Sequence, residues 1–399
     1  MSTVTSDRAR LLRDLLIALV SGLILAVGGG IYSAMALPSL TSSVPFWLII
    51  SSTATVAGTA FAFARYRNRG RLQAFILVSA FAQKHWVAEL LENLIRSLER
   101  NGIDLVLKIP PYEYSGHGQV QQLAGIRRKS QSFVGGFVMA ADRTATRADF
   151  ESFCRDVKIP IVFIDSSPFD HAREYPSNVA FVGCDSAEIG DKAAKWLVKA
   201  IGDRGIGSPG VLVIASTEHP DRQNAFVARF QAAFPSAQIT VNDQAMYDRK
   251  RSSEIVDQHL DRVGIEGGTV HAIFCTNDEM ALGAVDTIQR RAAAGNGPGD
   301  LVVVGVDATR EAVATIDSGG TAFRATVVQG SRQVAELAVS TLLKLRAGDR
   351  VEVATMVPTT IHPIGNASSA VPGSRVAGKT FPSALHTGGL AGDVAPAPP

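Results

Sequence analysis

The chain has 399 residues, 46% of them hydrophobic and 19% charged, with a formal net charge of +2. That length holds two lobes and an appendage, and so small a charge gives no ground for a nucleic-acid partner. The three cysteines, Cys154, Cys184 and Cys275, are odd in number and lack metal-ligand spacing, which argues against a disulfide framework or a zinc site.

Residues 15–37 carry no charge, and residues 44–64 form a second uncharged stretch containing Phe46, Trp47 and Ile49. Each is on the order of twenty residues, enough to cross a hydrocarbon core as a helix. A transmembrane helical hairpin is expected. For the first stretch a cleaved secretory signal is the alternative, because Ala34-Met35-Ala36 has the form of a small-residue cleavage site. Arg8, Arg10 and Arg13 precede the first stretch, and Arg65, Arg67, Arg69 and Arg71 follow the second. Excess basic residues mark the cytoplasmic side. Residues 1–71 are therefore expected to form a multi-pass anchor in a bacterial inner membrane. The globular part is expected on the cytoplasmic side, with the periplasmic side as the alternative.

From Arg71 onward the pattern changes. Phe75–Val78 is a short apolar run followed by a helical stretch from about Lys84 to Asn101. Strands are predicted at Asp104–Ile109, Phe133–Met139, Pro160–Ile164 and Val179–Val182, with helical segments between them. A second series follows at Val211–Ala215, Gln238–Val241, His271–Cys275 and Leu301–Val306. Short apolar strands separated by helices indicate parallel βαβ sheets, and two series indicate two similar lobes. Phe323–Val328 and Val351–Val357 are expected to return the chain near the hinge. Cys184 and Cys275 end or follow apolar runs and read as buried free thiols. Residues 366–399, rich in Gly, Pro, Ala and Ser without apolar periodicity, are expected to be a disordered tail.

Two strand ends carry the most information. Residues 273–285 read Ile-Phe-Cys-Thr-Asn-Asp-Glu-Met-Ala-Leu-Gly-Ala-Val, and residues 302–307 read Val-Val-Val-Gly-Val-Asp. In an open parallel sheet, ligands bind in the crevice beyond the carboxyl ends of the strands. Asn277 and Asp307 stand at that position, although Asn277 also reads as a plain helix cap.

These motifs give residues 72–365 a resemblance to the type I periplasmic-binding-protein family, the group of ribose- and galactose-binding proteins whose fold is shared by lactose-repressor-like effector domains. The motifs that carry it are Asn277-Asp278-Glu279-Met280-Ala281-Leu282-Gly283-Ala284, Val303-Val304-Gly305-Val306-Asp307 and Ala325-Thr326-Val327-Val328-Gln329. The resemblance implies an α/β fold of two lobes, each a parallel Rossmann-like sheet, joined by hinge crossovers. It also implies that Asn277, Asp307 and Gln329 hydrogen-bond a sugar's hydroxyls; a carboxylate accepts from them, and the two amides both donate and accept. Gln83 matches a polar ligand-binding position, and His85 with Trp86 the aromatics that stack on a sugar ring. A Trp86 turned into its helix's core is the plain reading of that residue. Asp165 matches a ligand-binding Asp, Tyr247 a flanking aromatic and, only approximately, Arg222 an Arg of the loop after Val211–Ala215.

Three departures stand out. Ser166 replaces an Arg, Met139-Ala140-Ala141 replaces a stretch with polar Asn and Pro, and Lys84 replaces a small residue or Pro. The second lobe keeps its ligand set and the first has changed, so a sugar or polyol is expected, with a more anionic ligand as an alternative given Lys84 and Arg222. The expected role is membrane-anchored ligand binding or sensing without catalysis, metal or cofactor, in concert with an ABC permease or a membrane signalling partner. An interaction protein that keeps the fold but has lost its ligand is the alternative. Uncharged spans occupy the place where a repressor carries its helix-turn-helix, which argues against DNA. No nucleophile elbow, P-loop or HExxH motif appears, which argues against an enzyme.

Overall fold

A computed structural model of the chain describes residues 72–81 and 85–365, together with Gly58 and Thr59. Apart from Gly58 and Thr59, the two predicted spans lie outside the described residues, as do Gln83, Lys84 and the tail from 366. Among the described residues no helix is long and apolar enough to cross a membrane.

The first lobe is built from β1 (Leu72–Leu77), α1 (His85–Glu99), β2 (Ile103–Lys108), α2 (Gly116–Arg128), β3 (Phe133–Val138), α3 (Arg143–Asp156), β4 (Ile161–Ile164) and β5 (Val179–Gly183). The second follows with α4 (Ser186–Gly202), β6 (Gly210–Ile214), α5 (Pro220–Ala233), β7 (Gln238–Asn242), α6 (Arg249–Ile265), β8 (Ala272–Cys275), α7 (Asp278–Ala293), β9 (Val302–Asp307), α8 (Arg310–Asp317) and β10 (Phe323–Val328). The chain then crosses back with α9 (Ser331–Ala347) and β11 (Ala354–Met356), and crosses again to β12 (Thr360–Pro363).

The sheets run β11-β5-β4-β3-β1-β2 and β12-β10-β9-β8-β6-β7. Every pairing is parallel except that of β12 with β10. In both sheets the order reverses beside the lobe's first strand, between β1 and β3 in one and between β6 and β8 in the other. That is the switch point at which doubly wound sheets open a crevice.

The inner strands are continuous apolar runs because helices cover both faces. All six residues of β9 are buried. In α1 the buried residues Trp86, Val87, Leu90, Leu91, Leu94 and Leu98 recur at helical spacing and make one apolar face, which packs on α9. On the second lobe α4 lies against α5 so closely that a Cβ on Gly190 would sit 1.9 Å from the carbonyl oxygen of Arg222. Beneath them Phe226 stacks on Phe274 with ring centroids 4.2 Å apart.

One sequence expectation changes, and one strand is new. Phe323–Val328 is an inner strand of the second sheet, paired with both β9 and β12. The crossings are made by the segments leading into α4, α9 and β12. A fully apolar-flanked run of this kind looks the same in a hinge and in a sheet, and only pairing decides. The strand β12, half-buried on a sheet edge, was not anticipated because Thr-Ile-His-Pro has no apolar pattern.

Candidate ligand-binding cleft

Several of the helices that follow strands begin with side-chain caps. Asn277 Oδ1 accepts from the Met280 amide at 2.9 Å, Asp248 Oδ1 from Arg251 at 2.7 Å, and Asp142 Oδ1 from Ala145 at 3.4 Å. Capping gathers short polar residues at the strand ends. The carboxyl ends of β1, β3 and β4 thereby face those of β6, β8, β9 and β10 across a cleft of about 580 Å³ of empty space, its open mouth included.

Eight of the nine residues singled out from sequence line this one cleft: Asn277, Asp307, Gln329, Asp165, Tyr247, Arg222, His85 and Trp86. The ninth, Gln83, lies outside the described residues. Asn277 both caps α7 and lines the cleft, so its two readings hold together. Trp86 likewise packs in the core, only 8% exposed, while its Nε1 donates to the Gln329 carbonyl of the opposite lobe at 3.0 Å. Arg222 sits in the first turn of α5, not in the preceding loop. Its Nη1 donates to the Thr276 carbonyl at 2.6 Å, and its buried Nε has no hydrogen-bond partner. Where the resemblance leads one to look for an Arg, Ser166 lines the cleft and its hydroxyl donates to the Ala140 carbonyl at 2.6 Å.

The lobes touch on both flanks of the cleft. His219 Nε2 lies 3.2 Å from Asp165 Oδ2, and His85 Nδ1 pairs with Glu279. Tyr114 and Tyr247 meet across it with ring centroids 5.6 Å apart. At the rim Arg310 lies 3.7 Å from Glu89 and 3.6 Å from Glu92. Four cleft residues hold positive φ without being glycine: Tyr114 (55°), Asp165 (64°), Tyr247 (56°) and Asp307 (118°). Each such residue costs on the order of 1–3 kcal/mol and persists where the surroundings fix it, which is a property of binding sites.

Electrostatics sharpens the picture. Burial and then the nearby Asp278 push the Asp307 carboxyl well above the usual range, although Gln329 Nε2 donates to it at 2.7 Å. Asp278 is itself raised to about 7 by burial, even with the Thr309 amide (2.8 Å) and the Thr326 hydroxyl (2.7 Å) donating to it. Burial also acts upward on Asp165, but His219 and Arg222 outweigh it and hold this carboxyl below its ordinary value. The three cysteines are free and buried, and burial pushes Cys184 up to about 12.

Sequence reasoning missed Glu218, His219, Glu279 and Tyr114, all of which line the cleft. A signal was present for the first two. They follow a buried strand and immediately precede Pro220, which takes a first-turn position of α5. Glu279 stood inside the quoted motif, where it read as part of a helical first turn.

Geometry alone thus gives two α/β lobes with a polar cleft at the strand ends between them. A family described as "Periplasmic binding protein domain" matches residues 75–350, and the chain belongs to it. Among curated relatives, a putative rhizopine-binding protein of Rhizobium meliloti is 23% identical over 305 residues, which cover 72% of this chain and 93% of that protein. The D-allose-binding periplasmic protein of Escherichia coli is 27% identical over 168 residues, covering 41% of this chain and half, 50%, of that protein. Among solved structures, a Mycobacterium smegmatis protein in complex with β-D-fucofuranose is similar with a TM-score of 0.65 at 21% identity, over 75% of this chain and 94% of that one. An ABC transporter solute binding protein from Bacillus halodurans with bound myo-inositol gives 0.62 at 19%, over 75% and 96%. At these identities the structural likeness establishes the fold.

Proposed function

We propose that this protein binds a small polyhydroxylated ligand, a sugar or cyclic polyol, by closure of its two lobes, and that it catalyses no reaction. The observation that carries the reading is the convergence of Asp307, Asn277, Gln329, Asp165 and Arg222 with Trp86 and Tyr247 on one buried cleft. Desolvated polar groups of this kind reject an analogue lacking a hydroxyl, because a partner is then left unpaired. The ligands of the relatives, D-allose, β-D-fucofuranose and myo-inositol, support this class. The cross-lobe contacts of His219, His85 and Trp86 support a closed state that a ligand stabilises in proportion to its preference for it.

In this reading residues 1–71 are a two-span anchor, residues 72–365 the binding region and residues 366–399 a tail. The partner is an ABC permease or a membrane signalling protein that distinguishes open from closed lobes. The flanking arginines support the cytoplasmic side for the binding region, and the periplasmic relatives support the other. Reporter fusions at the C-terminus decide between them: activity of a periplasm-dependent reporter would overturn the cytoplasmic assignment.

Ligand binding is tested by thermal shift and calorimetry against a panel of pentoses, hexoses and inositols. A responding ligand should lose roughly 100-fold in affinity in Asp307→Ala, given about 1.5–3 kcal/mol for each hydrogen bond to a charged group. No response to any member of the panel would favour an interaction protein that keeps the fold without the ligand.

A further inference from the structure

The charge lining the cleft is unbalanced among the described residues. Asp165, Glu218, Glu279 and Asp307 contribute four carboxylates, and Arg222 is the one permanent cation beside them. Three of the four have partners: Asp165 has His219, Glu279 has His85, and Asp307 has the Gln329 amide. Glu218 has only a long hydrogen bond, 3.4 Å, from the Asp142 backbone N–H, and no Lys, Arg or His forms an ion pair with it among the described residues. Aromatic rings line the same space, Tyr114 and Tyr247 in contact with each other and Trp86 nearer the second sheet's end.

A carboxylate removed from water without a counter-charge is costly, and a neutral polyol supplies hydrogen-bond donors but no charge. An ammonium group supplies both, and ring faces favour it as well. We infer that the ligand carries a protonated amine, as in an aminodeoxy sugar or an amino polyol, with the ammonium taken by Glu218 and the hydroxyls by Asp307, Asn277 and Gln329. The inference rests on the sugar or polyol reading and narrows it. It also runs against the more anionic ligand that Lys84 and Arg222 offered as an alternative, since Arg222 is tied to the Thr276 carbonyl and outnumbered by carboxylates. In keeping with it, burial and then the neighbouring Asp142 and Asp165 raise the Glu218 carboxyl to about 7, although the Asp142 amide and the charge of Arg143 act in the opposite direction.

The test is calorimetry at pH 8 on the detergent-solubilised full chain with matched pairs: D-glucose and D-glucosamine, D-galactose and D-galactosamine, myo-inositol and an aminodeoxy-inositol. At least one amine should bind tenfold or more tighter than its hydroxyl counterpart. Glu218→Gln should reduce that ratio at least fivefold. On the unaltered protein, N-acetylation of the amine should weaken its binding at least tenfold, a measurement that stands even if the variant folds poorly. Hydroxyl members binding as tightly as, or more tightly than, the amines in every responding pair would overturn the inference and leave the sugar or polyol reading standing. A preference that survives Glu218→Gln in a folded variant would also overturn it. Silence from every member of every pair would overturn both.

Discussion

The carboxyl ends of the second sheet present Asn277, Asp307 and Gln329, and the helix starts beside them add Arg222 and Glu279. The corresponding ends of the first sheet present Ser79, Met139, Asp165 and Ser166, with Trp86 and Tyr114 from the segments that follow. The two sheets share a strand order and a helical cover on both faces. What differs is the chemistry at the rim: amides, carboxyls and an arginine on one lobe, and on the other two serines and an apolar and aromatic wall around a single strand-end carboxyl. The lesson is that the scaffold fixes where a ligand goes and the strand-end residues fix what it is. In the proposed reading the second lobe orients a ligand and the first covers it.

That contrast is open to attack at several points. Gly190→Ala forces α4 away from α5, because the new Cβ would meet the Arg222 carbonyl oxygen at 1.9 Å; Gly135→Ala strains the first lobe more mildly, at 2.8 Å from the Pro160 carbonyl oxygen. Overpacking of this kind costs about 1–3 kcal/mol. Both variants should melt at lower temperature, Gly190→Ala by more, and only Gly190→Ala should weaken ligand binding beyond what its lost stability explains. Equal losses of affinity in the two would break the assignment of orienting groups to the second lobe.

Glu218 gives a pH-dependent version of the same comparison. Burial first, and then Asp142 and Asp165, raise its carboxyl from 4.5 to about 7. Between those values the folded protein holds a proton that the unfolded chain has released, so stability falls as pH rises through this window. Glu218→Gln should therefore match the parent near pH 4.5 and exceed it in Tm by a margin that grows up to about pH 7 and then levels. A constant difference across that range, measured by calorimetric melting, would show that the carboxyl is not buried against the first lobe's acids.

Trp86→Phe keeps the apolar wall and removes the hydrogen bond from Nε1 to the Gln329 carbonyl. At about 1 kcal/mol for a neutral bond, ligand affinity should fall several-fold, with the loss appearing in the dissociation rate. The smallest effect belongs to Arg310→Ala. Arg310 is 81% exposed at its side chain, and its pairs with Glu89 and Glu92 lie at the solvent rim. Such pairs contribute about 0–1 kcal/mol, so Tm and affinity should change little; a large effect would move the closure contacts from the cleft to the rim.

Much of this molecule was written locally. Strands buried on both faces must be apolar throughout, so runs such as Val302–Val306 declared themselves, and the alternation with helices declared parallel sheets. Asn277, Asp307 and Gln329 were legible because each ends such a run, and a strand end is a place that local pattern can mark. Only the tertiary structure decided which lobe a strand joins, as with Phe323–Val328 and the edge strand at Thr360–Pro363, because pairing depends on partners far away in the chain. The same holds for the pairing of His219 with Asp165 and of His85 with Glu279, residues 54 and 194 positions apart, which no local pattern encodes. The charge of the cleft belongs to that second category. It is a sum over side chains from both lobes, and it exists only once folding has brought them around one space and removed the water that would otherwise screen them.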